Sequence, residues 1–250
     1  MASIYDNEEF FEGYAAIRSN PYSANEVVEI PTLFGMLPEV KDRRVLDLGC
    51  GAGASCKRVA EMGAKDVVGI DLSDRMLAIA ERECNHDRIL FRKADLNQLN
   101  KISPELGRFD IVMSSLAMHY VADYQRLISC VWDLLSPGGI FVFSQEHPIF
   151  TAPQQTANWI MEGNNDITAF ILKNYPDSGP RRVFWIIDGF EKYHRTFSEI
   201  INGLIQTGFI IKEIAEPIPS DGYIDADISL SRCKHVPDYL FIKAQKPLGL

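Results

Sequence analysis

The chain of 250 residues is long enough for one large α/β domain, and its 46% hydrophobic and 24% charged residues are typical of a globular protein with a buried core. The formal net charge of −9 argues against a general affinity for nucleic acid, which requires a basic face. The five cysteines are scattered, without CxxC or Cys–His metal spacing, and therefore predict reduced thiols and no metal site. The start lacks the features of a signal peptide, and no apolar run approaches the roughly 20 residues of a membrane helix. We therefore expect a cytoplasmic protein that does not enter a membrane.

Residues 1–40 precede the regular pattern of strands and helices, and we expect them to form an N-terminal cap segment. Within them, Ser23-Ala24-Asn25-Glu26 has the spacing of a capping box and predicts the start of a helix. Pro31 should then interrupt or kink that helix.

Residues 41–147 alternate short apolar runs with amphipathic stretches. The apolar runs, rich in Val, Ile and Phe, are typical of strands buried on both faces and lie at residues 44–48, 66–70, 89–91, 109–113 and 140–143. Helices are predicted between them at residues 54–61, 74–83 and 124–135. Strands that alternate with helices predict right-handed βαβ units, and hence an α/β fold with a doubly wound, mostly parallel sheet.

Residues 148–195 interrupt this pattern with several prolines and two of the three tryptophans, Trp159 and Trp185. A long aromatic insertion in an α/β domain predicts a lid that covers a binding site, although a surface excursion without ligand contact is the alternative. Together with Tyr175 and Phe184, the tryptophans could form an aromatic pocket or simply the core of the lid.

Residues 196–250 complete the single domain that we predict for the whole chain. Thr196-Phe197-Ser198-Glu199 is a second capping box, and the helix that it starts should end at Gly208. Two extended runs, 209–215 and 238–244, are expected to add the last strands to the sheet.

The strongest functional signal is a glycine-rich turn between the first strand and the first helix of this pattern. It contains Gly49, Cys50, Gly51 and Gly53, and glycine is required there because the backbone turns tightly and passes close to a ligand. The same spacing also fits the fingerprint of a dinucleotide-binding fold, so the glycines alone leave two cofactor classes open.

Acidic residues at three strand ends favour one of these classes. Asp47 stands two residues before the first glycine, where its carboxylate suits the ammonium group of an amino-acid ligand and not a pyrophosphate. Asp71 is placed to bind ribose hydroxyls in either class, while Asp95 and Leu96 follow the third strand, where they can meet an adenine ring. Each aspartate alone could equally be a turn or helix-capping residue.

With these motifs in order, together with Phe109-Asp110-Ile111-Val112 and Ser136-Pro137-Gly138-Gly139, the chain resembles the class I S-adenosylmethionine-dependent methyltransferases, in particular the UbiE or type 11-like group. The resemblance covers residues 44–143 and implies a seven-stranded sheet whose last strand is antiparallel. It also implies that S-adenosylmethionine binds over the ends of the first two strands, with further expected contacts at Leu72 and Ser114. In many members of the resembled family an N-terminal segment folds over the cofactor, which implies contacts at Tyr14 and Arg18, with Tyr5 nearby; a solvated helix face is the alternative for these residues.

Histidine is the side chain best suited to act as a base near neutral pH, and three of the five histidines are predicted to face the cleft. His119 follows the fourth strand, in the loop that borders the methyl-transfer centre in the resembled family. His147 ends the fifth strand, and His194 precedes the second capping box. A purely structural role remains the alternative for each of the three.

The sequence thus predicts transfer of a methyl group to oxygen or nitrogen of a small-molecule acceptor, with S-adenosylhomocysteine as the other product. A nicotinamide-dependent oxidoreductase would share the glycine turn and Asp71, but it predicts all-parallel terminal strands. A non-catalytic protein that binds S-adenosylmethionine would have a closed or filled cleft beside the sulfonium. The acceptor and the oligomeric state have no signal in the sequence.

Overall fold

The computed structural model describes residues 3–154, 159–163 and 166–249. The strands of these residues lie at β1 Arg44–Leu48, β2 Asp66–Asp71, β3 Ile89–Lys93, β4 Phe109–Ser114, β5 Leu135–Glu146, β6 Trp159–Glu162, β7 Asp166–Phe170, β8 Gly179–Trp185, β9 Ile187–His194, β10 Ile210–Ala215 and β11 Tyr239–Gln245. The α-helices lie at α1 Glu8–Arg18, α2 Ile30–Met36, α3 Ala54–Glu61, α4 Asp74–Glu83, α5 Ser103–Leu106, α6 Tyr124–Leu134, α7 Pro148–Thr151, α8 Phe197–Thr207 and α9 Asp221–Ala226.

Seven strands form one sheet in the order β10-β11-β5-β4-β1-β2-β3. Neighbouring strands from β5 to β3 are parallel, whereas β11 runs antiparallel to both β5 and β10. This arrangement confirms the predicted mostly parallel, doubly wound sheet with an antiparallel last strand. It also counts against the oxidoreductase alternative, which predicts parallel terminal strands.

The sheet is buried on both faces, as the continuous apolar runs predict. On one face, Leu46 and Leu48 of β1 belong to a core that α6 and α8 cover. On the other face, Val45 and its neighbours pack against α2 and α3. The observed α3 and α4 have the predicted bounds, because each is an amphipathic segment with its apolar stripe against the sheet.

The N-terminal segment differs in detail from the expected capped helix. Residues Asn25–Glu29 form a π-helix turn that continues into α2, and Pro31 occupies the first turn of α2 and does not break it. The Glu26 N–H donates to Ser23 Oγ at 3.4 Å, which is one half of a capping box. The other half is missing because the Glu26 carboxylate forms an ion pair with Arg18 at 3.2 Å.

The insertion consists of two β-hairpins, β6–β7 and β8–β9, which periodicity had not indicated. The β8–β9 hairpin packs against α1 through a small aromatic core around Phe10, Val183 and Phe190. Phe10 stacks on Phe190 with ring centroids 5.5 Å apart and meets Trp185 edge-on at 5.3 Å. The N-terminal segment and the insertion therefore form one cover that lies beside the sheet.

The C-terminal elements agree with the predicted capping. Thr196 Oγ1 accepts a hydrogen bond from the Glu199 N–H, and the Glu199 carboxylate accepts one from the Thr196 N–H, which completes the capping box. Gly208 ends α8 in the left-handed conformation, with φ of 109°.

The contact of α1 with the β8–β9 hairpin predicts opposite effects for two helical glycines. A Cβ on Gly13 of α1 would lie 2.4 Å from Ile186 Cγ2, whereas a Cβ on Gly35 of α2 would meet nothing within 4 Å. We expect Gly13→Ala to lower the free energy of unfolding by about 1–3 kcal/mol through overpacking. Gly35→Ala should raise it by about 0.5–1 kcal/mol, the ordinary gain in helix propensity. Denaturant titration measures both, and a stabilised Gly13→Ala protein would show that α1 does not pack here as described.

Candidate active site

A large cleft opens at the carboxyl ends of the parallel strands, around the point where the strand order reverses between β1 and β4. Open α/β sheets bind ligands at such a switch point, because the connections leave the two strand ends in opposite directions. The cavity there has a volume of about 1630 Å³ and reaches from the glycine turn to the β8–β9 hairpin.

The glycine turn after β1 forms the floor of the cleft. The N–H groups of Gly49 and Cys50 both donate to Ile70 O, at 2.8 and 2.9 Å, which holds the turn against β2. A Cβ on Gly49 would lie 2.3 Å from Ala117 Cβ, so the turn passes the β4 loop with no room for a side chain. At Gly51, with φ of 52°, the same position is open space that a bound ligand can approach.

Asp47 is the most deeply buried acidic group of the cleft, with 1% of its surface exposed. The Cys56 thiol donates to Oδ2 at 3.4 Å, while Oδ1 has no hydrogen-bond partner among the described residues. Burial raises the pKa of Asp47 to about 7, against the lowering effect of the Cys56 hydrogen bond. A buried carboxylate oxygen without a partner is costly, and a ligand that carries an ammonium group would satisfy it.

Asp71 ends β2 on the opposite side of the turn. Its Oδ2 accepts the Gly51 N–H at 2.9 Å, and its Oδ1 accepts the Ser73 N–H at 2.8 Å. These bonds fix the carboxylate at the cleft wall beside Leu72, which also lines the cavity. Burial raises the pKa of Asp71 despite the two backbone donors. Each oxygen keeps accepting capacity that a ribose diol could use.

Asp95 and Leu96 also line the cleft, as the third-strand motif predicts. Asp95 additionally caps the 3₁₀-helix that follows it, because its Oδ1 accepts the Asn97 N–H at 2.8 Å. The structural and the ligand-binding interpretations of this residue are therefore compatible.

Ser114 and Gly53 do not line the cleft, which corrects two of the expected cofactor contacts. Ser114 is fully buried and donates to Leu48 O at 2.8 Å, so it joins β4 to β1 inside the sheet. Gly53 starts α3 with φ of 82°, and a Cβ there would lie 2.7 Å from the Phe91 ring. The next residue after Ser114, Ser115, faces the cleft instead.

The N-terminal segment closes one side of the cleft. Tyr14 and Arg18 both line it, as expected from the resemblance, and so does Tyr5. Asp6 attaches the segment to the start of α4, since its Oδ1 accepts a hydrogen bond from Ser73 Oγ at 2.6 Å and one from the Arg75 N–H at 3.1 Å. The sequence analysis did not identify Asp6, because its role depends on how the segment folds back.

Of the three predicted histidines, His119 is the one that lines the cleft. Its Nδ1 accepts the Glu146 N–H at 3.3 Å, so the neutral ring carries its proton on Nε2. Burial lowers the pKa of His119 to about 4, although the nearby Glu146 carboxylate raises it. The ring is therefore a neutral hydrogen-bond donor at physiological pH and not a free base.

His147 and His194 lie outside the cleft, which corrects their expected role. His147 caps α7 by accepting the Ile149 N–H at 3.1 Å on Nδ1, and its Nε2 bonds Glu216 at 2.6 Å. His194 is fully buried between Thr151 Oγ1 and Tyr175 O, both at 2.8 Å. Both nitrogens of each ring are therefore engaged: His194 joins α7 to the segment before β8, and His147 caps α7 and contacts Glu216 after β10.

A charged pair that the sequence analysis did not identify lies beside His119. Lys192 of β9 forms an ion pair with Glu146 at the end of β5, and both line the cleft. Burial alone would raise the pKa of Glu146, but the Lys192 ammonium lowers it overall. Around this pair, the cavity wall is largely aromatic, with Tyr5, Tyr120, Phe150, Trp159, Phe170, Trp185 and Phe190.

Four features of the cleft fit an S-adenosylmethionine cofactor. The unpartnered oxygen of Asp47 suits the ammonium group of the cofactor, and Asp71 suits its ribose. The open space beside Gly51 lets the cofactor lie close to the protein backbone. Ala54 and Ser55 of the first turn of α3 line the cavity, and because the N–H groups of a first helical turn have no partner within the helix, this turn suits the carboxylate of the cofactor.

The comparisons agree with this geometry. Residues 45–139 match a family model described as a methyltransferase domain. A crystal structure of an S-adenosylmethionine-dependent methyltransferase from Mesorhizobium loti superposes with a TM-score of 0.78 at 38% identity, covering 92% of this chain and 99% of that one. A Haemophilus influenzae protein is 38% identical over 98% of this chain and 97% of its own length. A ubiquinone biosynthesis O-methyltransferase from Coxiella burnetii is 30% identical over 58% of this chain and 65% of its own.

The chain therefore belongs to the S-adenosylmethionine-dependent methyltransferases, and S-adenosylmethionine is its cofactor. This membership excludes the oxidoreductase alternative. In the part of the chain that the structure describes, no helix is long and apolar enough to cross a membrane.

The raised pKa of Asp47 predicts that cofactor binding depends on pH. Because the ammonium group of S-adenosylhomocysteine favours the ionised carboxylate, the affinity should rise with pH up to about 7 and then level off. Below that pH, each unit should weaken binding by up to about tenfold, with one proton released per ligand bound. Calorimetry in buffers of different ionisation enthalpy measures both quantities.

Two variants test the assignment of this pH dependence to Asp47. Asp47→Asn should bind more weakly and with little pH dependence between pH 5 and 7, whereas Asp66→Asn, at an exposed carboxylate on β2, should behave as the parent. An unchanged pH profile in Asp47→Asn would contradict the assignment.

Proposed function

We propose that this protein transfers the methyl group of S-adenosylmethionine to oxygen or nitrogen of a small organic molecule and releases S-adenosylhomocysteine. The observation that carries the proposal is the size and lining of the cleft. Small-molecule pockets have volumes of about 300–1000 Å³. The cavity of about 1630 Å³ therefore has room for an acceptor beside the cofactor, which argues against a non-catalytic protein with a filled cleft.

The wall of the acceptor end supports a planar acceptor with a polar group. Aromatic rings from the insertion and the N-terminal segment surround His119, Glu146 and Lys192. The Coxiella burnetii relative is named as an O-methyltransferase, which supports oxygen as the methylated atom. The expectation that nucleic acid is not the acceptor rests on the net charge of −9 and stays a prediction.

The contributions of the protein follow from the geometry of the cleft. The sulfonium of the bound cofactor supplies an activated methyl group, so the protein needs chiefly to orient the acceptor and exclude water. His119, neutral and protonated on Nε2, would donate a hydrogen bond to the acceptor. The β8–β9 hairpin and α1 would shield the reacting atoms from solvent.

The activity is tested by following S-adenosylhomocysteine release from the purified protein with catechol, 4-hydroxybenzoate and aniline, and in parallel with duplex DNA and tRNA. We expect release with one or more of the small molecules and none with either nucleic acid. Release with tRNA or DNA alone would overturn the small-molecule proposal.

Cofactor binding has its own test in Asp71→Ala. Loss of hydrogen bonds to the ribose diol should cost on the order of 1–3 kcal/mol, or about 5–150-fold in S-adenosylhomocysteine affinity. The control is Asp74→Ala, which removes an exposed carboxylate that pairs with Lys93 near the same strand end. Equal affinities for the two variants in calorimetry would argue against a ribose site at Asp71.

Histidine variants should separate acceptor binding from stability. His119→Ala should lower kcat/KM for the acceptor by about 10–1000-fold, because an oriented donor is lost, with S-adenosylhomocysteine affinity within about threefold of the parent. His194→Ala should instead lower the free energy of unfolding by about 2–4 kcal/mol, since the buried Thr151 hydroxyl and the half-buried Tyr175 carbonyl both lose their hydrogen bonds. If kinetics instead showed the loss of kcat/KM in His194→Ala, and denaturant titration showed the loss of stability in His119→Ala, the contact with the acceptor would belong to His194.

A further inference from the structure

A buried carboxylate lies behind the β4 loop and contacts the cleft through one serine. Glu29 is 1% exposed, and its Oε1 accepts Ser115 Oγ at 2.9 Å and Ser144 Oγ at 2.5 Å. Its Oε2 has no hydrogen-bond partner among the described residues. Ser115 is half-buried and lines the cleft, so its hydroxyl connects the cavity with a carboxylate that the cavity does not reach.

The loop that carries Ser115 is held in a strained conformation. Leu116 has φ of 50°, a left-handed backbone that a leucine rarely adopts. The Leu116 N–H lies 3.0 Å from Ser144 Oγ and 3.2 Å from Ser144 O, while Glu29 binds both serine hydroxyls. Strained backbone and π-helix turns cluster at functional sites, and here Glu29 ends the π-helix turn Asn25–Glu29.

The other ionisable groups around the acceptor end are poor proton acceptors. His119 already accepts a backbone N–H on Nδ1 and carries its proton on Nε2. Glu146 is paired with Lys192, which lowers its pKa, and burial raises the pKa of Tyr120 so that its hydroxyl stays protonated. An acceptor hydroxyl that loses a proton during methyl transfer therefore needs another base.

We propose that Glu29 receives the proton of the acceptor through the Ser115 hydroxyl, as the base of a serine–carboxylate relay. The proposal rests on the proposed function with an acceptor whose nucleophilic atom carries a proton. The acceptor oxygen forms its bond to the methyl carbon, the carbon–sulfur bond breaks, and the electron pair of that bond remains on sulfur. The acceptor proton passes to Ser115 Oγ as the serine proton moves to Glu29 Oε1, and it returns through Ser115 to water once the product has left.

The surroundings of Glu29 support a base of moderate strength. Burial raises the pKa of Glu29, although the hydrogen bonds from Ser144 and Ser115 lower it. The charged and titratable groups that face it are Arg18 and Tyr14 of α1, Glu26 of its own turn, Asp47 of β1 and Tyr239 of β11. Of these, Arg18 is a cation, and its ion pair with Glu26 at 3.2 Å limits its effect on Glu29.

The relay is tested in the full-length protein with Glu29→Gln and Ser115→Ala, using the hydroxyl acceptor of the panel that the parent methylates fastest. Glutamine keeps an oxygen that accepts from both serines but cannot take a proton. We expect kcat to fall by about 10²–10⁴-fold in both variants and the ascending limb of the kcat–pH profile to disappear. S-adenosylhomocysteine affinity and the melting temperature of Glu29→Gln should stay close to the parent values.

Two matched controls are Glu39→Gln, at an exposed carboxylate, and Ser129→Ala, at an exposed serine of α6.

A second measurement follows the protonation of the Glu29 carboxyl group without turnover. Infrared titration of the protein with S-adenosylhomocysteine should show a protonated carboxyl band that titrates above 4.5, the ordinary value of a glutamic acid pKa. The band should be absent in Glu29→Gln and shifted in frequency in Ser115→Ala. A kcat within threefold of the parent in either variant, or no such band, overturns the relay. Failure of the parent to methylate any small molecule would count against the proposed function, and the infrared result would then decide on Glu29 alone.

Discussion

The active site depends on how closely the backbone turn after β1 passes its neighbours. The turn lies between β2, which binds two of its N–H groups at Ile70 O, and the β4 loop, where Ala117 leaves no room for a Cβ on Gly49. This packing brings the ends of three parallel strands within reach of one ligand. It places Asp47 below the turn, Asp71 beside it and Ser115 across the cleft, so the carboxylates proposed to bind the cofactor and the serine proposed to reach the acceptor depend on one local constraint.

Three buried or half-buried acidic groups lie in the cleft or behind the β4 loop, and none of them forms an ion pair with a described residue of the protein. Asp47, Asp71 and Glu29 all have raised pKa values, with burial as the main cause, and two of them have an oxygen without a partner among the described residues. Burying unpaired polar and charged groups lowers the stability of the unliganded protein. A cofactor with an ammonium and a sulfonium group offsets that cost. The acidic groups that have no cationic partner in the protein therefore favour binding of a positively charged ligand.

The cover over the acceptor end is held by interactions that do not belong to the sheet. Aromatic packing between Phe10 and Phe190 joins α1 to the β8–β9 hairpin, and the Lys192–Glu146 pair ties the hairpin to the end of β5. Within the insertion, His194 joins α7 to the segment before β8, and His147 caps α7. These contacts span long sequence separations, so changes in the insertion can alter the acceptor pocket while the cofactor half stays intact.

The sequence alone determined the sheet, the helices α3 and α4 and most of the cleft-lining positions between Asp47 and Leu96, because these depend on local periodicity and on turns that require glycine. It also determined the capping box at Thr196, whose partners lie three residues apart. Only the tertiary structure decided which histidine faces the cleft, since His119, His147 and His194 all follow strand ends and differ only in what folds against them. The same holds for Glu29, which lies 86 and 115 residues from the serines that it binds. Such contacts leave no periodic trace in the chain, because they arise when separate elements pack together and not from the spacing of residues within one element.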